Sequence, residues 1–163
     1  MTDAADAAGA RSGGRLAVRH ARVEDVALLL ALFTELAEYE RLEGELHATE
    51  ELLVAALFAE RPLARALIAE RESLPAGYAV YFPTFSSFLA RPGVWLEDLF
   101  VVPEHRGAGV GRALLARVAA DACEQGAVRL EWTALRWNEL ALEFYRGLGA
   151  QTMDEWITHR LVG

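Results

Sequence analysis

GVWLEDLFVVPEHRGAGVGRALL, residues 93–115, reads as a strand, a glycine loop and a helix in immediate succession. The strand is apolar except for Glu97 and Asp98, and it stops at Pro103, which lacks the N–H that a central ladder needs. Beyond the loop, Val110, Leu114, Val118 and Ala122 recur at the four-residue step of one helix face, and the helix ends near Gln125 and Gly126. A bare loop entering a helix leaves N–H groups at the positive end of the helix dipole, an arrangement that holds an anion. Gly107, Gly109 and Gly111 would keep side chains out of the way of a phosphate, with Arg106 and Arg112 adding positive charge. A tight turn that simply requires glycine is the other reading of the same spacing.

Two familiar phosphate loops do not fit. A P-loop needs a lysine, and the 16 cationic Lys plus Arg residues of this chain are all arginine. The dinucleotide fingerprint G-x-G-x-x-G places its third glycine one position later than Gly111 and belongs to an N-terminal strand–helix–strand unit.

Working outward, residues 15–21 alternate as a strand, and Val26, Leu29, Leu30, Phe33 and Leu36 give the segment from Val23 to Tyr39 a helical period. A second helix is expected from Thr49, its cap, to Phe58. ARALIAE and GYAVYF form a hairpin whose turn falls in RESLPAG, with Pro75 and Gly77 as turn formers. VRLEWTA is a further strand. Asn138 caps a helix carrying Leu140, Phe144 and Leu148, and EWITHRLV closes the chain as a last strand. Residues 1–14 are aperiodic and read as a flexible tail; residues 15–163 read as one domain.

The 163 residues carry a net charge of −8, which argues against nonspecific nucleic-acid binding and suits a cationic partner. The one cysteine, Cys123, reads as an inert, partly buried thiol. His20, His47, His105 and His159 show no metal-binding spacing, so no metal is expected. With neither an apolar signal core nor a run of ~20 apolar residues, the expectation is a soluble cytoplasmic protein.

Arg106-Gly107-Ala108-Gly109-Val110-Gly111 has the form R/Q-x-x-G-x-G/A, and RWNELALEFYRGLGA (136–150) has the form W-N-x-x-A-x-x-F-Y-x-x-x-G-A. Together they resemble the GNAT superfamily of N-acetyltransferases. With ELAEYERLE and the late Trp156, the resemblance narrows to the diamine branch, which contains the spermidine/spermine and thialysine acetyltransferases. It covers the chain from about Arg15 onward. It implies an α/β fold with a mixed, mostly antiparallel sheet flanked by helices, acetyl-CoA as co-substrate, a homodimer, and direct attack of a small primary amine on the thioester. Other amines, such as an amino acid or a protein N-terminus, and a non-catalytic acyl-CoA-binding regulatory domain are the alternatives.

The same resemblance assigns roles. Leu99, Phe100, Val101, the stretch from Arg106 through Arg112, Asn138 and Tyr145 would contact acetyl-CoA, and Tyr145 would also be the acid for the departing thiolate. Glu97 would be the base, acting directly or through water. Asp98 would be an electrostatic substrate contact, and strand alternation sends these two carboxylates to opposite faces. Tyr39 and Glu40 match the branch's substrate-binding pair within a run of seven glutamates (residues 35–51) that otherwise reads as a solvated face. Trp156 is either an aromatic wall for the amine or a core residue. Ser86 stands where polyamine-acetylating members tend to have an aspartate and thialysine-type members a serine.

Overall fold

The computed structural model describes residues 15–162, so the expected tail over residues 1–14 lies outside it. The chain forms two compact units that divide between Glu131 and Trp132. The first unit holds a five-stranded sheet in chain order: β1 (Leu16–His20), β2 (Arg65–Arg71), β3 (Leu74–Ser86), β4 (Arg91–Val101) and β5 (Leu130–Glu131). The first four strands are antiparallel neighbours, and β5 runs parallel to β4. Helices α1 (Val26–Glu40) and α2 (Glu50–Leu57) follow β1, and α3 (Val110–Glu124) follows β4. This is the mixed, mostly antiparallel sheet with helices that the sequence implies.

Local chemistry accounts for most boundaries. Thr49 caps α2 by accepting from the Leu52 N–H at 3.3 Å, as expected. The β2–β3 turn is a correction. It is made by Glu72 and Ser73, at φ 55° and 67°, the paired positive φ of a two-residue hairpin turn. Pro75 and Gly77 lie inside β3; Pro75 sits at a register shift in the β2–β3 ladder, where a missing N–H is tolerated.

Two clusters hold the sheet to its helices. On one face Leu29 and Leu32 of α1 pack on Ala66, Ile68, Tyr78, Val80 and Phe100. On the other, the Tyr81 hydroxyl donates to the Asp121 carboxylate of α3, which also accepts from Arg117 Nε at 2.8 Å and lies 3.4 Å from His20 Nε2. Asp121 is 3% exposed. Burial pushes its carboxyl up, but the hydrogen bonds from Tyr81 and Arg117 and the charges of His20 and Arg117 outweigh it, and the net shift is down. Cys123, two residues on, is exposed, against expectation: Ala122 is the position that turns inward.

The second unit contains α4 (Glu139–Gly147), capped as expected by Asn138, whose Oδ1 accepts from the Ala141 N–H at 3.2 Å. Leu140, expected on its apolar face, is exposed. The expected last strand is absent: no residue after 150 is in a strand among those described. Alternation marks which side chains share a face, but a strand exists only where a neighbour supplies the ladder. No helix among the described residues is long and apolar enough to cross a membrane.

Candidate active site

The β3–β4 ladder carries one irregularity, and it falls on the acidic pair. Val80 faces Asp98 while Tyr81 faces Leu96, so Glu97 is left without a cross-strand partner. An extra residue of this kind is a β-bulge, which breaks the two-residue alternation. Tyr81 reaches Asp121 on α3, which places Tyr81 and its partner Leu96 on the α3 side. Val80, the partner of Asp98, packs with Leu29 and Leu32 on the α1 side. Glu97 accepts a 2.9 Å hydrogen bond from Trp95 Nε1, two residues back on its own strand. The expectation of opposite faces therefore fails. The bulge turns Asp98 onto the α1 side, and Glu97 is near enough to raise its pKa.

The electrostatics follow from this crowding. Burial, together with the charges of Glu97 and Glu40, pushes the Asp98 carboxyl up to about 6, while a hydrogen bond from the Tyr78 hydroxyl at 3.4 Å pulls the other way. Burial also raises Glu40, the last residue of α1 and the one glutamate of residues 35–51 that is partly buried. Tyr78 is driven well above its ordinary value by burial and by the charge of Asp98. Next to Glu40, the Tyr39 ring lies under the Arg106 guanidinium at 4.6 Å. Arg106 Nε donates to the Val101 carbonyl at 3.1 Å, so this arginine ties the loop to the end of β4. Tyr39, Glu40, Glu97, Asp98 and Arg106 thus belong to one region of the first unit.

At the glycine loop, Gly107 and Gly109 adopt φ of 74° and 84°, and Gly109 is the N-cap of α3. A Cβ at either would meet nothing within 4 Å, so backbone conformation is what demands glycine there. Gly111 lies inside the first turn of α3 and has no positive φ, so the turn does not explain it. Ala108 and Arg112 are exposed, whereas Val110 is buried and anchors the helix start. Strand β5 pairs with β4 only at Val94 and Trp95, which leaves Leu96–Val101 laddered on one edge alone among the described strands. Phe100 points its side chain into the α1-side core, so any role for it toward a ligand falls to its backbone.

Ser86 is not brought to this region. It is buried at the other end of β3, opposite Arg91, and its Oγ accepts from the Leu89 N–H at 3.4 Å. It lies five residue steps along the strand from Tyr81, about 17 Å. In the second unit, Tyr145 packs its ring against Trp132 at 4.9 Å and Phe144 at 5.3 Å. Trp156 is 75% exposed, which removes the core reading.

The model of the acetyltransferase (GNAT) family matches residues 29–150, from within α1 to just beyond α4. The chain belongs to this acetyltransferase family. Among relatives of the acetyltransferase, it is 37% identical over 146 residues to a thialysine N-epsilon-acetyltransferase of Bos taurus, covering 85% of each chain. It is 29% identical over 140 residues to a human spermidine/spermine N(1)-acetyltransferase-like protein 1, covering 82% of this chain and 20% of that one. Among solved structures, an integron cassette protein from the mobile metagenome of V. cholerae superposes with a TM-score of 0.75 at 28% identity, covering 91% and 93%.

The residues of this acetyltransferase suit the acyl-CoA that its family uses. The loop and first turn of α3 offer N–H donors with open space above Gly107 and Gly109, and the one-sided stretch of β4 offers backbone groups to an amide-bearing arm. Two residues escaped the sequence reading. Tyr78 looked like any hairpin aromatic, because its hydroxyl meets Asp98 only in the register that the bulge creates, and Trp95 looked like any strand apolar residue, although it stands two residues before Glu97 on the same strand.

Proposed function

We propose that this acetyltransferase acetylates the primary amine of a small cationic substrate, a thialysine-like amino acid or a diamine, by direct attack. The observation that carries the reading is the bulge. It gathers Glu97 and Asp98 with Glu40 into a patch of negative charge suited to an ammonium group. An amine of pKa ~10.4 is neutral in about one molecule in 2,500 at pH 7, a penalty of roughly 4.6 kcal/mol for the nucleophile. Glu97, the more exposed carboxylate, takes that proton directly or through water, while Asp98 holds the cation in place.

Acetyl-CoA supplies an activated thioester when bound. Its pyrophosphate would be held by residues 106–112, its arm by the backbone of Leu99–Val101 and by Asn138, and Tyr145 would protonate the leaving thiolate. The identity to a thialysine acetyltransferase and the serine at position 86 favour the amino acid over polyamines. Ser86 lies too far along β3 to meet a short substrate from within its own chain. A homodimer belongs to this reading as the diamine branch implies it; Ser86, 5% exposed with its Oγ accepting from the Leu89 N–H, is a marker of the branch rather than a group in contact with the amine. Residues 15–163 act as one cytoplasmic domain in this reading.

The test is a pair of variants followed by steady-state kinetics. Tyr145→Phe lowers kcat far more than it changes the KM for acetyl-CoA, and Glu97→Gln shifts the rate profile to higher pH, where solvent deprotonates more amine. An unchanged kcat removes Tyr145 as the acid, and superimposed pH profiles remove Glu97 as the base.

A further inference from the structure

One buried hydroxyl beneath the site has no role in the mechanism above. Tyr78 is 0% exposed, lying on β3 under α1 with its ring 4.9 Å from Phe33 and 6.0 Å from Phe100. Its ring fills the core, and a phenylalanine would do that equally well. A hydroxyl buried this deeply is unfavourable unless it finds an acceptor, and the acceptor it has is Asp98 Oδ2, at 3.4 Å.

We propose that Tyr78 is a positioning residue of the amine site: its hydroxyl, donating from the core, orients Asp98 on the α1 side and keeps it as the carboxylate that binds the substrate cation. This rests on the amine acetylation proposed above. The groups around Asp98 show why a donor is needed. Glu97 on its own strand and Glu40 at the end of α1 are both negative, and both act on Asp98 to favour its neutral form. On β3, Tyr78 supplies the one hydrogen bond identified as favouring the charged form. Strand β5 meets β4 only at Val94 and Trp95, and its Glu131 is paired with Arg129 at 2.7 Å. Burial and two carboxylates thus work toward protonation, and the tyrosine works against them. A protonated Asp98 would contribute no charge to binding an ammonium, so the hydroxyl sets the pH down to which the site keeps its grip on the amine.

The experiment is Tyr78→Phe, read in two ways. Carboxyl 13C NMR follows the Asp98 titration, assigned with Asp98→Asn; the midpoint rises by about half a unit to one unit when the donor is lost. Kinetics with the amine then show KM about twofold higher at pH 6.5 and unchanged at pH 8.5, with kcat and the acetyl-CoA KM unaltered, since Asp98 is ionised in both proteins at the higher pH. A structural role alone would lower the melting temperature without moving either midpoint or the pH dependence of KM. Difluorotyrosine at position 78, a stronger donor of nearly the same shape, moves the midpoint down and covers the case in which Tyr78→Phe folds poorly. Coincident midpoints in the wild type and the variant overturn the role of Tyr78 while leaving the activity intact. Failure of the wild type to acetylate any amine would overturn the proposed function, and the NMR titration would still decide the role of Tyr78.

Discussion

Replacing Asp98 by asparagine should make the protein more stable while impairing its grip on the amine. Asp98 has an ordinary carboxyl value of 3.8 in the unfolded chain and about 6 in the folded one. The folded state therefore binds more protons than the unfolded state between those two values, and stability falls as pH rises through that window. A difference of about two units corresponds to roughly 3 kcal/mol at neutral pH. The substituted amide is neutral at every pH and can still accept from the Tyr78 hydroxyl, so Asp98→Asn escapes the loss. Urea denaturation at pH 8 should find the variant more stable by roughly 2–3 kcal/mol, with a melting temperature higher by about 4–12 °C for a chain of this size. At pH 4, where Asp98 is largely protonated in the folded state, the two proteins should nearly coincide. A variant no more stable than the wild type at pH 8, or a gain independent of pH, would refute the claim that the bulge crowds a carboxylate into an unfavourable setting.

Asp121→Ala strands the buried Tyr81 hydroxyl and should lower stability by about 2–4 kcal/mol; adding Tyr81→Phe should recover part of that loss, and strictly additive denaturation energies would exclude the coupling. Because Asp121 is shifted down, the ionic part of its contribution is present above the unfolded carboxyl range and is lost as pH falls below it, so the gap between the wild type and Asp121→Ala should narrow in acid melts without closing, since the protonated carboxyl still accepts from Tyr81. Gly109→Ala places a side chain at φ 84° with no clash, so it should lose about 1–2 kcal/mol from backbone strain alone and raise the acetyl-CoA KM. A calorimetric titration showing wild-type acetyl-CoA affinity would separate loop geometry from cofactor binding.

Features set by local chemistry were legible in the sequence. Thr49 and Asn138 declared their helices as caps, the apolar period from Val110 declared α3, and the glycines declared a loop whose positive φ at Gly107 and Gly109 only glycine adopts readily. Features that depend on strand partners were not. Glu72 and Ser73 supply the turn expected at Pro75 and Gly77, because the register of β2 on β3 decides where the chain reverses. EWITHRLV alternates like a strand and forms none among the described residues. The bulge matters most: one unpaired residue cancels the opposite faces expected of Glu97 and Asp98, and no composition or period announces it. The contact of Tyr78 to Asp98 became visible only once that register was known, whereas that of Trp95 to Glu97 joins residues two apart on one strand.

The most direct test of the central claim is CoA thiol release from acetyl-CoA by the purified protein, measured with thialysine, lysine, putrescine, spermidine and an N-terminal peptide against a control without amine. The account predicts release that depends on a small cationic amine, greatest with thialysine, and abolished or strongly reduced in Tyr145→Phe. Release with the peptide alone, or none above the control with any small amine, would contradict it.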